Sequence, residues 1–163
     1  MFLRLLVFLG LCCCLPAWAL TSEQALAMAQ GETDARVAAV ARAAATPDPR
    51  TAALIQALAD DAVKIAAGRV LLVQGDKAED AVTGAAVPLP ADAEDVVNNN
   101  RMRGELDAAL AALRLASPDP KVRLASAQAL AKDPDEARLP VIERALATES
   151  DAAVKAALQL AQA

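Results

Sequence analysis

The sequence predicts a mainly α fold, an array of helical hairpins carrying a small β-hairpin insert. Three observations lead there. Alanine, the strongest helix former, dominates the chain, and the larger apolar residues recur three and four positions apart. Two near-identical turns, "TPDPR" at 46–50 and "SPDPK" at 117–121, break the helical pattern with paired prolines. Between them the spacing changes: 63–65 and 70–73 are β-rich arms around Ala67 and Gly68, the pattern of a hairpin.

The chain begins with a segment expected to be removed. Residues 1–19, "MFLRLLVFLGLCCCLPAWA", combine an early Arg4, an apolar run, Pro16, and small residues at Ala17 and Ala19. That is the pattern of a secretory signal with an Ala-x-Ala cleavage site. The run is too short and wrongly flanked for a membrane span. Removing 19 of the 163 residues leaves 144, enough for one domain. The expected organisation is a signal peptide at 1–19 and a helical domain at 20–163. Within the domain, 20–60 form the first helices, 61–97 the hairpin and loop insert, and 98–163 a second helical block. The expected location is the periplasm.

Composition narrows the chemistry. All three cysteines, Cys12, Cys13 and Cys14, lie in the signal, so the mature chain has no disulfide and no thiol nucleophile. There is no histidine and no tyrosine, so the commonest general base and the usual zinc ligands are missing together. Carboxylates and lysines remain. The expectation is a protein that is not an enzyme and holds no cofactor or metal. A formal net charge of −5 argues against nucleic acid as partner. No second stretch of about 18 apolar residues occurs, so no membrane span is expected in the mature chain.

The elements are expected in this order. A first helix covers about 23–30, with Thr21 and Gln24 at capping-box spacing and Gly31 just past its end. A second, about 34–44, turns Val37, Val40 and Ala41 inward. Pro49 opens a third, about 49–59, carrying Leu54, Ile55 and Leu58. After the hairpin, Gly84, Pro88 and Pro90 keep 76–94 irregular. A helix then runs from about Arg101 to Leu115 with Leu106, Leu110 and Leu113 on one stripe. Three more follow: 120–131 with Val122, Leu124 and Leu130; 136–147 with Leu139, Val141, Ile142 and Leu146; and 152–162 with Val154, Leu158 and Leu160.

The helical segments repeat. "DARVAAVARAAA" from Asp34 lies over "DPKVRLASAQAL" from Asp119, "RTAALIQALAD" from Arg50 over "RLPVIERALAT" from Arg138, and "DAAVKAALQL" from Asp151 repeats the first half. Each aspartate is placed to cap a helix whose first core contact is the following valine. The pattern resembles HEAT-like repeats, paired helices stacked so that each pair buries the face of the next, with insertions tolerated between pairs.

One stretch breaks the local rules. "DVVNNNRMRGELDAAL", 95–110, places three asparagines and two arginines at a helix start, where acids are favoured. Asn99, Asn100, Arg101 and Arg103 are therefore the candidate binding residues, for an anion or a protein partner. The competing account makes Asn99 or Asn100 the helix cap. It pairs Arg101 with Glu105 and Arg103 with Asp107, and leaves spare amides for the hairpin edge. The acidic groups at Asp92, Glu94 and Asp95 and at Asp60 and Asp61 lack the spacing of a calcium loop and read as solvated acids. "QGDK" lacks the glycines of a phosphate loop.

The order of parts is more specific than any one part. A signal, a helix pair, a β-rich insert with "DAVTG" (80–84), then "VVNNNRMRGELDAAL" and "LRLASPDPKVRLASAQAL" resemble the periplasmic N-terminal extension of the urea ABC-transporter permease subunit. That subunit is the B-type permease of the branched-chain amino-acid transporter family. Asn99, Asn100, Arg101 and Arg103 match the family's Val-Asn-Asn-Arg-x-Arg run. Asn98 stands where the family prefers valine, and Gly104 where it prefers a second basic residue. The resemblance spans nearly the whole chain and only the front of the family, without its transmembrane part. It implies a non-catalytic interaction domain with other urea-transporter subunits, the binding protein and the permeases, as partners. The alternatives are a stand-alone secreted HEAT-repeat structural or interaction protein and a small hydrolase working through carboxylates, whose signature would be a strongly raised carboxyl pKa.

Overall fold

Helix α1 (Ser22–Ala29) starts on the expected capping box. The Gln24 amide N–H donates to Thr21 Oγ1 at 3.2 Å and the Thr21 N–H to Gln24 Oε1 at 2.9 Å. Leu20 and Ala25, both buried, occupy the flanking positions of a hydrophobic staple. Gly31 (φ 104) turns the chain out of the helix. These are the first contacts in a computed structural model that describes residues 19–45, 48–134 and 136–163. The predicted signal up to residue 18 and the first two residues of TPDPR lie outside the described residues.

Helices α2 (Thr33–Ala45) and α3 (Pro49–Ala59) follow, the latter capped by Asp48 with Pro49 in its first turn. The inward stripe of α2 is Arg36, Ala39 and Val40, one residue away from the expected stripe, and Ala41 is exposed. Asp34 lies inside the first turn of α2 and does not cap it. Helix α3 buries Leu54, Ile55 and Leu58 completely. Each such side chain contributes about 2 kcal/mol.

The hairpin forms as expected from β1 (Val63–Ala66) and β2 (Arg69–Gln74), with Ala66 opposite Arg69 and a two-residue turn whose φ angles are both positive. The insert is larger than a hairpin, however. β3 (Lys77–Asp80), β4 (Ala86–Val87) and β5 (Glu94–Asp95) complete an antiparallel sheet in the order β4-β3-β2-β1-β5. Strands of two to four residues are too short to show alternation, and Pro88 and Pro90 fall just beyond the edge strand β4, where proline is tolerated. "QGDK" is the β2–β3 turn, with Gly75 at φ 59. Asp95 is drawn to Lys64 across the β1–β5 pair at 2.7 Å.

"DAVTG" makes the turn between β3 and β4. The Asp80 carboxylate accepts the Val82 and Thr83 N–H groups and the Arg69 guanidinium, and Gly84 (φ 71) closes the turn by donating to the Asp80 carbonyl at 2.8 Å. Burial pushes the Asp80 pKa up. The hydrogen bonds from Thr83, Arg69 and Val82 together outweigh burial and hold it below the ordinary value. The Arg50 guanidinium lies over Gly84 and pairs with Glu79 at 2.9 Å, which ties the start of α3 to the sheet. Gly84→Ala would set a Cβ into the Arg50 guanidinium, in a backbone conformation that disfavours any side chain. We expect a loss of about 2 kcal/mol, read as a lower guanidinium midpoint at unchanged slope.

Helix α4 (Asn100–Leu115) joins the two parts of the molecule. Met102, Leu106, Ala109 and Leu110 belong to a core shared with α1–α3 and the sheet. Ala111 and Leu115 belong to a second core shared with α5 (Pro120–Lys132), α6 (Leu139–Thr148) and α7 (Ala152–Gln162). Both cores are wholly aliphatic, since residues 20–163 contain no aromatic ring. A 3-10 turn, Glu136–Arg138, forms what was expected as the first turn of α6. Val122 and Leu160, expected inward, are 39% and 69% exposed. Asp119 and Asp151 cap α5 and α7 as the repeat implies. The repeat also makes α5 and α6 a pair. Instead α5 packs chiefly on α7, α4 packs on α5 and α6, and α6 packs on α7. Among the described residues the fold is mainly helical with one small antiparallel sheet, and no helix is long and apolar enough to cross a membrane.

Candidate functional site at the Asn/Arg junction

The rule-breaking stretch lies where α1, α2, α3 and α4 meet. Its first asparagine, Asn98, is buried, and so is the residue that it serves, Arg36. Arg36 Nε donates to the Met28 carbonyl at 3.0 Å, Nη1 to the Val97 carbonyl at 3.0 Å, and Nη2 to Asn98 Oδ1 at 2.6 Å. Asn98 Nδ2 passes the interaction on, donating to the Leu58 carbonyl at 2.8 Å and to Asp61 Oδ1 at 3.3 Å. The other Asp61 oxygen takes Arg103 Nη2 at 2.7 Å. One amide thus stands between a buried cation and an exposed carboxylate, with both of its polar atoms used.

The electrostatics follow from these partners. Burial lowers the Arg36 pKa, but arginine keeps its proton at any ordinary pH, so its charge must be met by dipoles. The Met28 carbonyl belongs to the last turn of α1, whose dipole end is negative. The Arg103 hydrogen bond, helped by Asn98, holds Asp61 below the ordinary carboxylate range against the opposing effect of burial. Asp61 sits at φ 52, directly after the α3 C-cap Asp60. Acids at a helix C-terminus are unfavourable, and here each is met. Asp61 has Arg103 and Asn98. Asp60 has Gln56 Nε2 at 3.1 Å, and Gln56 in turn accepts from Arg114 at 3.3 Å. Neither acid is simply solvated.

The four candidate residues divide as follows. Asn99 is the α4 cap, accepting the Met102 N–H at 2.9 Å, and its amide donates to Thr33 Oγ1 at 2.8 Å. Asn100 begins the helix and is exposed. Arg101 pairs with Asp34 at 2.6 Å and Arg103 with Asp61. The pairing within α4, to Glu105 and Asp107, does not form, because partners on α2 and beyond α3 are closer. The amides do not reach the hairpin edge. Sequence reasoning missed Arg36 and Asn98. The only hint was an arginine interrupting the apolar face of α2.

The second motif is held just as firmly. Arg123 in α5 grips Glu149, the C-cap of α6, with Nε at 2.8 Å and Nη2 at 3.1 Å, and Arg123 Nη1 donates to the Ser117 carbonyl at 2.9 Å. Glu149 Oε1 also accepts the Ser150 and Asp151 N–H groups. The Arg123 hydrogen bond, then the backbone donors, lower the Glu149 pKa to about 2. Among the described residues the displaced carboxyl groups, Asp61, Asp80 and Glu149, all move down, opposite to what a general-acid carboxyl requires. Among the described residues no cluster of three or more acids is arranged to hold a metal ion. No protein-family model, no curated protein and no solved structure matches the chain.

Proposed function

We propose that the chain is a non-catalytic interaction module of the HEAT-like class. In this reading α4–α5 and α6–α7 are successive helical hairpins, and α2–α3 is an earlier pair separated from them by the sheet. The packing of α5 on α7 and of α4 on α6 supports that register. The system we infer is urea uptake: a periplasmic domain of, or derived from, the permease subunit of a urea ABC transporter, acting with the binding protein and the permeases.

The observation that carries the reading is where the family-like motifs fall. The Asn-Asn-Arg-x-Arg run ties the start of α4 to α2 and to the end of α3, and the turn "SPDPK" is held by Arg123, which also grips Glu149. Residues consumed in holding joints are what a shared architecture would preserve, and they leave the outer helix faces for contact. Crosslinking and affinity capture from periplasm plus membrane should recover a urea-transporter subunit. Recovery of none would favour a stand-alone secreted repeat protein. The same preparation should begin at Leu20 by mass, and so lack Trp18 and its near-ultraviolet absorbance.

A further inference from the structure

Beside the junction, α3, α4 and α5 enclose an open groove of about 790 Å³. Its floor is the α4 stripe Asp107, Leu110, Ala111 and Arg114, spaced as one helix face. One wall is α3 with Gln56, Ala59 and Asp60, and the other is α5 from Val122 to Asp133, with Ala125 and Ala129 between. Eleven residues of rise along α5 make the groove roughly 16 Å long, about three helical turns. Alanine walls let another backbone approach closely.

The two ends differ. Around Val122 the groove continues into a hollow whose lining is mostly apolar, with Ala52, Leu113 and Pro118, and which Asp48 and Arg114 also border. At the other end stand Asp60, Asp107 and Asp133. Arg138, which also lines the groove, stands 3.6 Å from Asp133, whereas the Asp60 carboxylate meets the neutral Gln56 amide and no cation, and Asp107 has no ion pair, among the described residues. Val122, one of the few large apolar side chains left exposed, marks the place for an apolar anchor.

We propose that this groove docks one helical segment of a partner protein, about three turns long, with a lysine or arginine at one end facing Asp60 and Asp107 and a leucine-sized side chain at the other facing Val122. A three-turn length, small-residue walls and an apolar-to-acidic gradient together fit the helix-in-groove mode of recognition. The inference rests on the interaction-module reading and names the contact face that reading lacks.

The test uses the full protein, isotopically labelled, and a helical Ala/Leu/Lys peptide of about fourteen residues. The controls are the same peptide with lysine replaced by glutamate and a peptide with the leucine and lysine ends exchanged. Saturable shifts confined to Gln56, Ala59, Asp107, Ala125 and Ala129 are expected, weakening with salt. The double variant Asp60→Asn, Asp107→Asn should weaken binding about tenfold. Ala125→Trp, at an exposed position and checked for native circular dichroism, should abolish it. No shifts, shifts at another surface, or equal binding of either control would overturn the proposal. A groove that binds the peptide in a protein that captures no transporter subunit would refute the urea-transporter assignment and leave the groove standing.

Discussion

Replacing Asn98 with valine is expected to destabilise the protein by about 3 kcal/mol. The substitution leaves the Arg36 guanidinium with one buried N–H unmet, removes the donor to the Leu58 carbonyl, and takes an amide partner from Asp61. A stranded buried group costs about 1–3 kcal/mol, and more when it is charged. Arg36→Leu alone should cost a similar amount, because the Met28 and Val97 carbonyls then lose their donor. The two changes together should cost less than their sum by 1 kcal/mol or more, roughly what directly bonded pairs show. Denaturant titration of the four proteins checks this. Strict additivity would mean that the amide and the guanidinium are not coupled, and would remove Asn98 from the centre of the junction.

The second large effect is at Glu149. Glu149→Ala should cost about 2 kcal/mol, since it removes two charge-assisted bonds to Arg123 and the acceptor for two backbone N–H groups. In a domain of this size that lowers the melting temperature by roughly 6 °C. The pH dependence has a definite sign. The folded-state pKa, about 2, lies below the ordinary 4.5. The stabilisation is therefore complete above about pH 4.5 and is lost as pH falls toward 2. The stability gap between the wild type and Glu149→Gln should be flat from about pH 7 to 5 and close below that. Asp61 and Asp80 also lose stabilisation in acid, so the difference between the two proteins, rather than either curve alone, isolates Glu149. A gap that persists at the lowest pH would show that packing, not charge, accounts for the loss.

Local chemistry made the helices legible. Thr21 and Gln24, Asp48 with Pro49, and Asp119 with Pro120 are start signals whose action is complete within four residues, and the observed helices begin beside them. The Ala67–Gly68 turn was legible for the same reason. The remaining strands were not, because β4 and β5 have two residues each and exist only through their partners. At the candidate site, Asn99 as cap was within reach of sequence, whereas Arg101 with Asp34 and Arg103 with Asp61 depend on helices far apart in the chain.

The sequence by itself determined the helical class, the starts of α1, α3, α5 and α7 and the hairpin, since these follow from residue type and from spacings of a few residues. Only the tertiary structure decided that an arginine takes the inward position on α2. A helical period assigns a buried face to apolar residues, and it cannot register the carbonyls of residues 28 and 97 and the amide of Asn98 that make a cation acceptable there. It likewise decided that the Asn/Arg stretch joins four helices, because its partners lie up to 66 residues away.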